Sequence, residues 1–360
     1  MERRAPLHTA YEAAGAKFVS YQGCVVPELF TSVAEECAAV RRGSGVLDRS
    51  ARAFLSATGD DHVEFLHRML SNEVRGLEPG QGNYSTLLTN QGHLVGDLYV
   101  WRMEDHILLE SDSATRNQVR ETLERYVIAD DVALEDQSEQ LAALAVEGPA
   151  AAALLGAAGA EILPGKEFNH TWLRLGEQTP VHVAKVSQTG GEGFELIFLT
   201  EYAQNVWDAL AGAYRRVPWK PVGWAALNVL RTEAGIPWYG VDMGDTTLPP
   251  EAGLETRAIS YTKGCYVGQE IIERIRSRGH VNRKLVGLVV DSNGVPAAGT
   301  KLVANGKEVG EITTSVHSPT FGRIIALGYV RREHFTPGTR LQLASGGIAE
   351  VAPLPFFRPA

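Results

Sequence analysis

The last quarter of the chain constrains the fold most. From about residue 284 onward it reads as short apolar runs punctuated by glycine, "KLVGLVV", "KLVAN", "KEVGEITT", "IIALGYV", "TRLQL" and "IAEVAPL", with no helical periodicity between them. Strands packed that densely must close on one another, which predicts a small antiparallel barrel or sandwich over 284–360.

Upstream of that point the pattern changes period. "TSVAEECAAVRRGSG" spaces Val33, Cys37 and Val40 at i, i+4 and i+7, with Thr31 or Ser32 to cap the helix and Gly43 and Gly45 to end it. "AFLSATGDDHVEFLHRML" then reads as strand, turn and helix. It is followed by the runs "GNYSTLLTNQGHLVGDLYVWRM" and "DHILLESDS", the helix "ATRNQVRETLERYV" and a strand at "VALEDQ". That β-α-β-β-α-β order fits a split βαβ layer. A similar alternation recurs from Leu141: strand "LAALAVEG", helix "PAAAALLGAA", strands at "WLRL", "VHVAKVS" and "FELIFL", then the helical stretches "YAQNVWDALAGAY" and "GWAALNVLRTEAG". A length of 360 residues is too much for one ordinary core.

Composition removes several classes of function. A net charge of −9 argues against nonspecific nucleic-acid binding, because a phosphate backbone rewards basic surfaces. Cys24, Cys37 and Cys265 are odd in number and lack C-x-x-C spacing, so neither a disulfide framework nor a metal site built from this chain alone is expected. The stretch "LAALAVEGPAAAALLGAAGA" is broken by Glu147, Gly148 and Pro149, and the N-terminus has no signal-like apolar core. A cytoplasmic protein without membrane or nucleic-acid partners is expected.

Four local features carry chemistry. In "YTKGCYVGQE", Cys265 stands two residues from Lys263 and just before a stretch with helical spacing of Ile271, Ile272 and Ile275, where positive potential favours a thiolate. The same residues also fit a small apolar side chain filling a tight turn at Gly264 and Gly268. "GGEGFEL" aims Glu195 from a strand, either to accept paired hydrogen bonds from an amino-pyrimidine ring or to form an edge-strand salt bridge. Asp97 in "GHLVGDLYV" suits a general base or simple turn chemistry. Glu270, Glu273, Arg274, Arg276, Arg278, His280, Arg283 and Lys284 form a charged run that reads as a solvated helix face. The histidines show no metal spacing, and no nucleotide loop or G-x-S-x-G is present.

Taken in order, "GAKFVSYQGCVVP", "AAVRRGSGVLDRS", "LEPGQGNYSTLLTNQGHLVGDLYV", "LAVEGPAAAALL", "GGEGFEL", "LRTEAGIPWYGVDM" and "VGEITTSVHSPTFGRIIALGYV" resemble the glycine-cleavage T-protein superfamily of tetrahydrofolate-binding aminomethyltransferases. Within it, "KGCYVGQE" resembles the signature of the YgfZ branch, folate-binding proteins associated with maintenance of iron-sulfur enzymes. The resemblance implies an α+β cloverleaf around a central folate cavity, with two ferredoxin-like units and a C-terminal β-barrel. It divides the chain into 1–50 with 141–240, 51–140 with 241–283, and 284–360.

The resemblance also implies site residues. Glu195, Tyr84, Arg231 and Gln269 fall on the folate side, and Cys265, Lys263 and Asp97 on the chemical side. It implies tetrahydrofolate as cofactor, iron-sulfur client or assembly proteins as partners, and a monomer. Four departures separate the chain from ordinary T-proteins: Leu227 replaces the arginine of an Ala-Arg-Asp, Gly96 an aspartate, Ala51 a histidine and Cys24 a tryptophan. The expectation is a tetrahydrofolate-binding YgfZ-type protein supporting iron-sulfur assembly or repair, with a folate-dependent aminomethyltransferase or methyltransferase as the alternative. Alone, Cys265 cannot hold a cluster, which wants four ligands, so a partner would have to supply the rest.

Overall fold

The computed structural model of the chain describes residues 3–358. Strands Lys17–Tyr21 and Cys24–Leu29 form a hairpin whose turn residues Gln22 and Gly23 both take positive φ, the twist a two-residue hairpin needs. Helix Val33–Arg42 follows, capped by Ser32, whose Oγ accepts from the Glu35 amide at 3.3 Å. Its Cys37 is buried, as the spacing predicts.

A six-stranded sheet runs in the order His170–Leu175, Thr179–Ala184, Gly193–Leu199, Leu141–Glu147, Gly45–Asp48, Lys220–Val222. Alternation assigns its two faces. Leu144, Val146, Phe194, Leu196 and Phe198 pack under helices Ala151–Ala157 and Ala203–Ala213, together with Leu154, Val206 and Leu210. The intervening residues Ala143, Glu195 and Ile197 face the other way, toward the rest of the molecule.

The second sheet has five strands, in the order Gly82–Leu88, Leu94–Arg102, Ile107–Asp112, Arg52–Thr58, Ala133–Asp136. One strand more than expected arises because "GNYSTLLTNQGHLVGDLYVWRM" is a hairpin. Gly92 turns it at φ +77° and the Thr89 amide donates to the His93 carbonyl. Helices His62–Met69 and Arg116–Tyr126 cover one face, packing Leu66, Leu98 and Leu123. Tyr84, Tyr99 and Trp101 on the opposite face join Ala143 and Ile197 of the first sheet in a shared apolar cluster. The two ferredoxin-like sheets thus meet face to face across this apolar cluster.

Residues 283–352 close a six-stranded antiparallel barrel, Arg283–Asp291, Arg323–Arg331, Lys307–Ser318, Lys301–Ala304, Arg340–Leu343, Ile348–Ala352, one strand for each predicted run. Val316 and Ile325 dock the barrel on helix Trp224–Glu233. No helix among the described residues is long and apolar enough to cross a membrane.

Candidate functional site

A cavity with about 920 Å³ of atom-free space, partly open to solvent, lies where the two sheets, the N-terminal hairpin and helix Trp224–Glu233 converge. Each wall has its own chemistry.

The hairpin 82–102 supplies Tyr84, Asp97 and Tyr99. Thr86 pairs with Asp97 and Tyr84 with Tyr99 across the ladder, so Tyr84 and Asp97 are diagonal neighbours on one face. The Tyr84 hydroxyl donates to Asp97 Oδ2 at 2.9 Å. Asp97 Oδ1 is buried with no partner among the described residues, an acceptor left for something in the cavity. Burial first, and then Asp97, pushes the Tyr84 hydroxyl well above its ordinary range, so it remains a donor.

The turn after Gly45–Asp48 supplies Asp48, Arg49 and Arg52. Asp48 accepts from the Tyr11 hydroxyl at 2.7 Å and from the Ser50 amide and hydroxyl at 2.9 Å each. Arg49 Nε donates to Glu195 Oε1 at 3.3 Å, and Gln188 Nε2 to Glu195 Oε2 at 3.1 Å. Glu195 therefore stands one layer behind a wall made by Arg49 and Gln188. Burial raises its carboxyl to about 7, reinforced by Glu110 and opposed by Arg49. Arg52 is similarly claimed by Glu110, with Nε donating to Oε1 at 2.7 Å. Asp112, also lining the cavity, is raised to about 6, chiefly by burial.

The third wall is aromatic. Tyr21, Trp224, Trp238 and Tyr239 line it, with Leu227 among them. The side chain at 227 places no positive charge there.

The remaining predicted residues stand apart from the cavity. Arg231 is fully buried on helix Trp224–Glu233 and turns away from the space: Nη1 pairs with Asp242, Nη2 donates to Thr314 Oγ1 at 2.8 Å, and Nε to Asn228 Oδ1 at 2.9 Å. Its guanidinium lies 4.6 Å from the centre of the Trp238 ring and braces that ring from behind the wall. Lys263 also turns inward rather than toward the thiol. Its ammonium donates to the carbonyls of His67, Leu70 and Asn72, capping the end of helix His62–Met69. Burial lowers it to about 8. Cys265 is exposed, and Gln269 begins helix Gln269–Arg278 after Gly268, whose φ of +82° and close approach to the Thr89 carbonyl exclude a side chain. The structure thus gathers Tyr84, Asp97 and, behind its wall, Glu195 in one place, and Cys265, Lys263 and Gln269 in another.

Sequence reasoning missed Asp112, Arg49, Arg52, Gln188 and Trp238. The signals were weak ones: two arginines three apart after a strand, and an aspartate ending one. Only the pairing of sheets distant in sequence brings them together.

Comparison with known proteins agrees with this architecture. Residues 7–263 match the GCVT N-terminal domain, and residues 283–358 the glycine cleavage T-protein C-terminal barrel domain. An aminomethyltransferase from Streptomyces coelicolor is 32% identical, with 99% of this chain and 98% of that protein covered. One from Geobacillus kaustophilus is 31% identical over the full length of both. The crystal structure of aminomethyltransferase T of the Bartonella henselae glycine cleavage system superposes with a TM-score of 0.89 at 28% identity, covering 100% of this chain and 99% of that one. The chain belongs to the glycine-cleavage T-protein superfamily.

Proposed function

We propose that this protein is a tetrahydrofolate-dependent one-carbon transferase of the aminomethyltransferase kind. The observation that carries the reading is the Tyr84–Asp97 pair, a hydroxyl-braced carboxylate with one buried oxygen free, lining the cavity between the sheets. The name shared by the full-length relatives supports it.

The residues fit a reduced folate. Glu195 holds Arg49 and Gln188 in the cavity wall from behind, and Tyr84 and Tyr99 offer flat apolar surface. When bound, tetrahydrofolate supplies a nitrogen nucleophile that accepts a one-carbon unit. Asp97 holds negative charge beside that chemistry and takes or stabilises a proton at Oδ1, while Tyr84 fixes its orientation through Oδ2. The sheets on either side restrict water, which strengthens the electrostatic effect.

Two measurements test this. Tetrahydrofolate should raise the melting temperature at saturating concentration, since a ligand specific to the native state must stabilise it. Asp97→Asn should keep that stabilisation while methylene-tetrahydrofolate formation from an aminomethyl donor falls roughly 10²–10⁴-fold. No thermal shift with any folate would sink the reading.

A second reading is the YgfZ-type role in iron-sulfur maintenance. It is favoured by the surface position of Cys265 on a segment that Lys263 clamps to three carbonyls. A fixed, exposed thiol outside the cavity suits contact with another protein better than contact with folate. In cells lacking this protein, Cys265→Ser should fail to restore iron-sulfur enzyme activity that the wild type restores. Full restoration by Cys265→Ser would remove this role for the thiol.

A further inference from the structure

The aromatic wall has no part in the chemistry assigned to Asp97 and Glu195. Tyr21, Trp224 and Trp238 form a nearly equilateral triangle, with ring centres 5.0, 5.9 and 5.6 Å apart and planes inclined by 44°, 53° and 49°. Mutually tilted rings of that spacing make a shallow cup, and all three line the cavity. A cation seated over the cup would lie within the ~6 Å at which each ring face attracts positive charge.

The surrounding charges favour the same occupant. After burial, Asp112 raises the Tyr21 hydroxyl against the opposing pull of Arg231, Arg49 and Arg52, and Asp245 and then Asp97 raise that of the neighbouring Tyr239. Each arginine near the cup already has a carboxylate partner of its own. Arg49 is held by Glu195, Arg52 by Glu110 and Arg257 by Glu167, and Arg231, behind Trp238, is held by Asp242. Leu227 adds an apolar surface beside the cup. Finally, the Trp224 indole N–H is buried without a hydrogen-bond partner among the described residues, a donor left for an oxygen on the ligand.

A strongly hydrated primary ammonium gains little from such a wall, because three rings cannot replace its hydrogen bonds with water. A methylated ammonium has no such donors, spreads its charge over methyl groups and fits an apolar cup. We propose that the Tyr21–Trp224–Trp238 end of the cavity binds a small methylated ammonium headgroup carrying an oxygen acceptor, which rests on the reading above in making this the donor end of the same site. Asp112 supplies the counter-charge, and the three rings set the preference for methylated over free amines.

The probes are choline and its neutral isostere 3,3-dimethylbutan-1-ol, followed by tryptophan fluorescence and titration calorimetry on the full chain without folate. Choline should saturate the signal and bind roughly tenfold more tightly than the isostere, the preference that cation–π attraction of this size gives. Trp238→Leu and Tyr21→Leu should reduce that ratio toward one, whereas Trp238→Phe should retain most of it. Leu227→Arg should abolish choline binding by repulsion, with an unchanged circular dichroism spectrum as the folding control. Equal affinity for the two probes, or no saturable binding of either, would overturn the proposal. A Glu195→Gln variant that loses folate stabilisation yet keeps the choline preference would show that the two ends of the cavity stand or fall separately.

Discussion

Glu195 occupies an environment far from what a carboxylate prefers. The alternation Phe194, Leu196, Phe198 forces it to the face opposite the helices, where it is fully buried and raised to about 7. Because its folded value lies above the 4.5 of the unfolded chain, the native state retains a proton that the unfolded state has released between those limits. The stability it contributes is complete below pH 4.5 and lost as pH rises through 7, at up to about 1.4 kcal/mol per pH unit. Urea denaturation of wild type and Glu195→Gln across that window should give a difference that declines with pH. A flat difference would mean that Glu195 titrates as an ordinary surface carboxylate. The face occupied by Glu195 was readable from sequence because period-two alternation is a local property. Its partners were not, since nothing near residue 195 announces Arg49.

At the scale of elements, two contacts hold the sheets and the 241–283 segment. Lys263 gives its ammonium to three carbonyls at the end of helix His62–Met69, so Lys263→Met would leave those acceptors without their donor. The expected loss is about 1–3 kcal/mol, with faster hydrogen exchange over 260–268. Retained protection there would show that the clamp is dispensable. Carbonyl acceptors carry no sequence signature, which is why the lysine read as a neighbour of the thiol rather than as a helix cap.

The second contact reaches between the sheets from a histidine pair of the six-stranded sheet. His170 Nε2 lies 3.1 Å from the Gln81 carbonyl, which only accepts, so its Nδ1 must accept from His182 Nε2 at 2.8 Å. Protonating His170 would turn two N–H groups toward each other, and burial already lowers it to about 4. With the folded value below the unfolded 6.5, this contribution is present above pH 6.5 and lost as pH falls toward 4. Replacing both histidines by asparagine should flatten the fall in melting temperature over that interval, even if overall stability is lower. An undiminished fall would assign acid sensitivity to other groups.

Across the whole molecule, Asp242 is the joint between the cavity and the barrel. It accepts from Thr313 and Thr314 hydroxyls at 2.6 and 2.7 Å, from the Trp238 amide at 3.1 Å, and pairs with Arg231. Asp242→Asn leaves a buried guanidinium uncompensated, an expected cost of about 3–5 kcal/mol. It should also separate barrel unfolding from that of the sheets, seen as non-coincident transitions by fluorescence and circular dichroism. A single unchanged transition would show that apolar docking by Val316 and Ile325 suffices. The barrel itself was legible strand by strand, because glycine-punctuated runs leave little choice. How it docks was not, since Arg231 reads equally well as a ligand contact.

The neighbouring strands Gly45–Asp48 and Leu141–Glu147 lie side by side in one sheet, and the entire five-stranded unit is made between them. On a ribosome, the inserted unit therefore emerges complete while strand Gly45–Asp48 is still waiting for both of its partners. The second of these, Lys220–Val222, appears on the order of ten seconds later at ordinary rates of synthesis. For that interval the nascent chain presents a bare apolar edge, and slow codons placed after residue 140 would lengthen its exposure to aggregation and to chaperones.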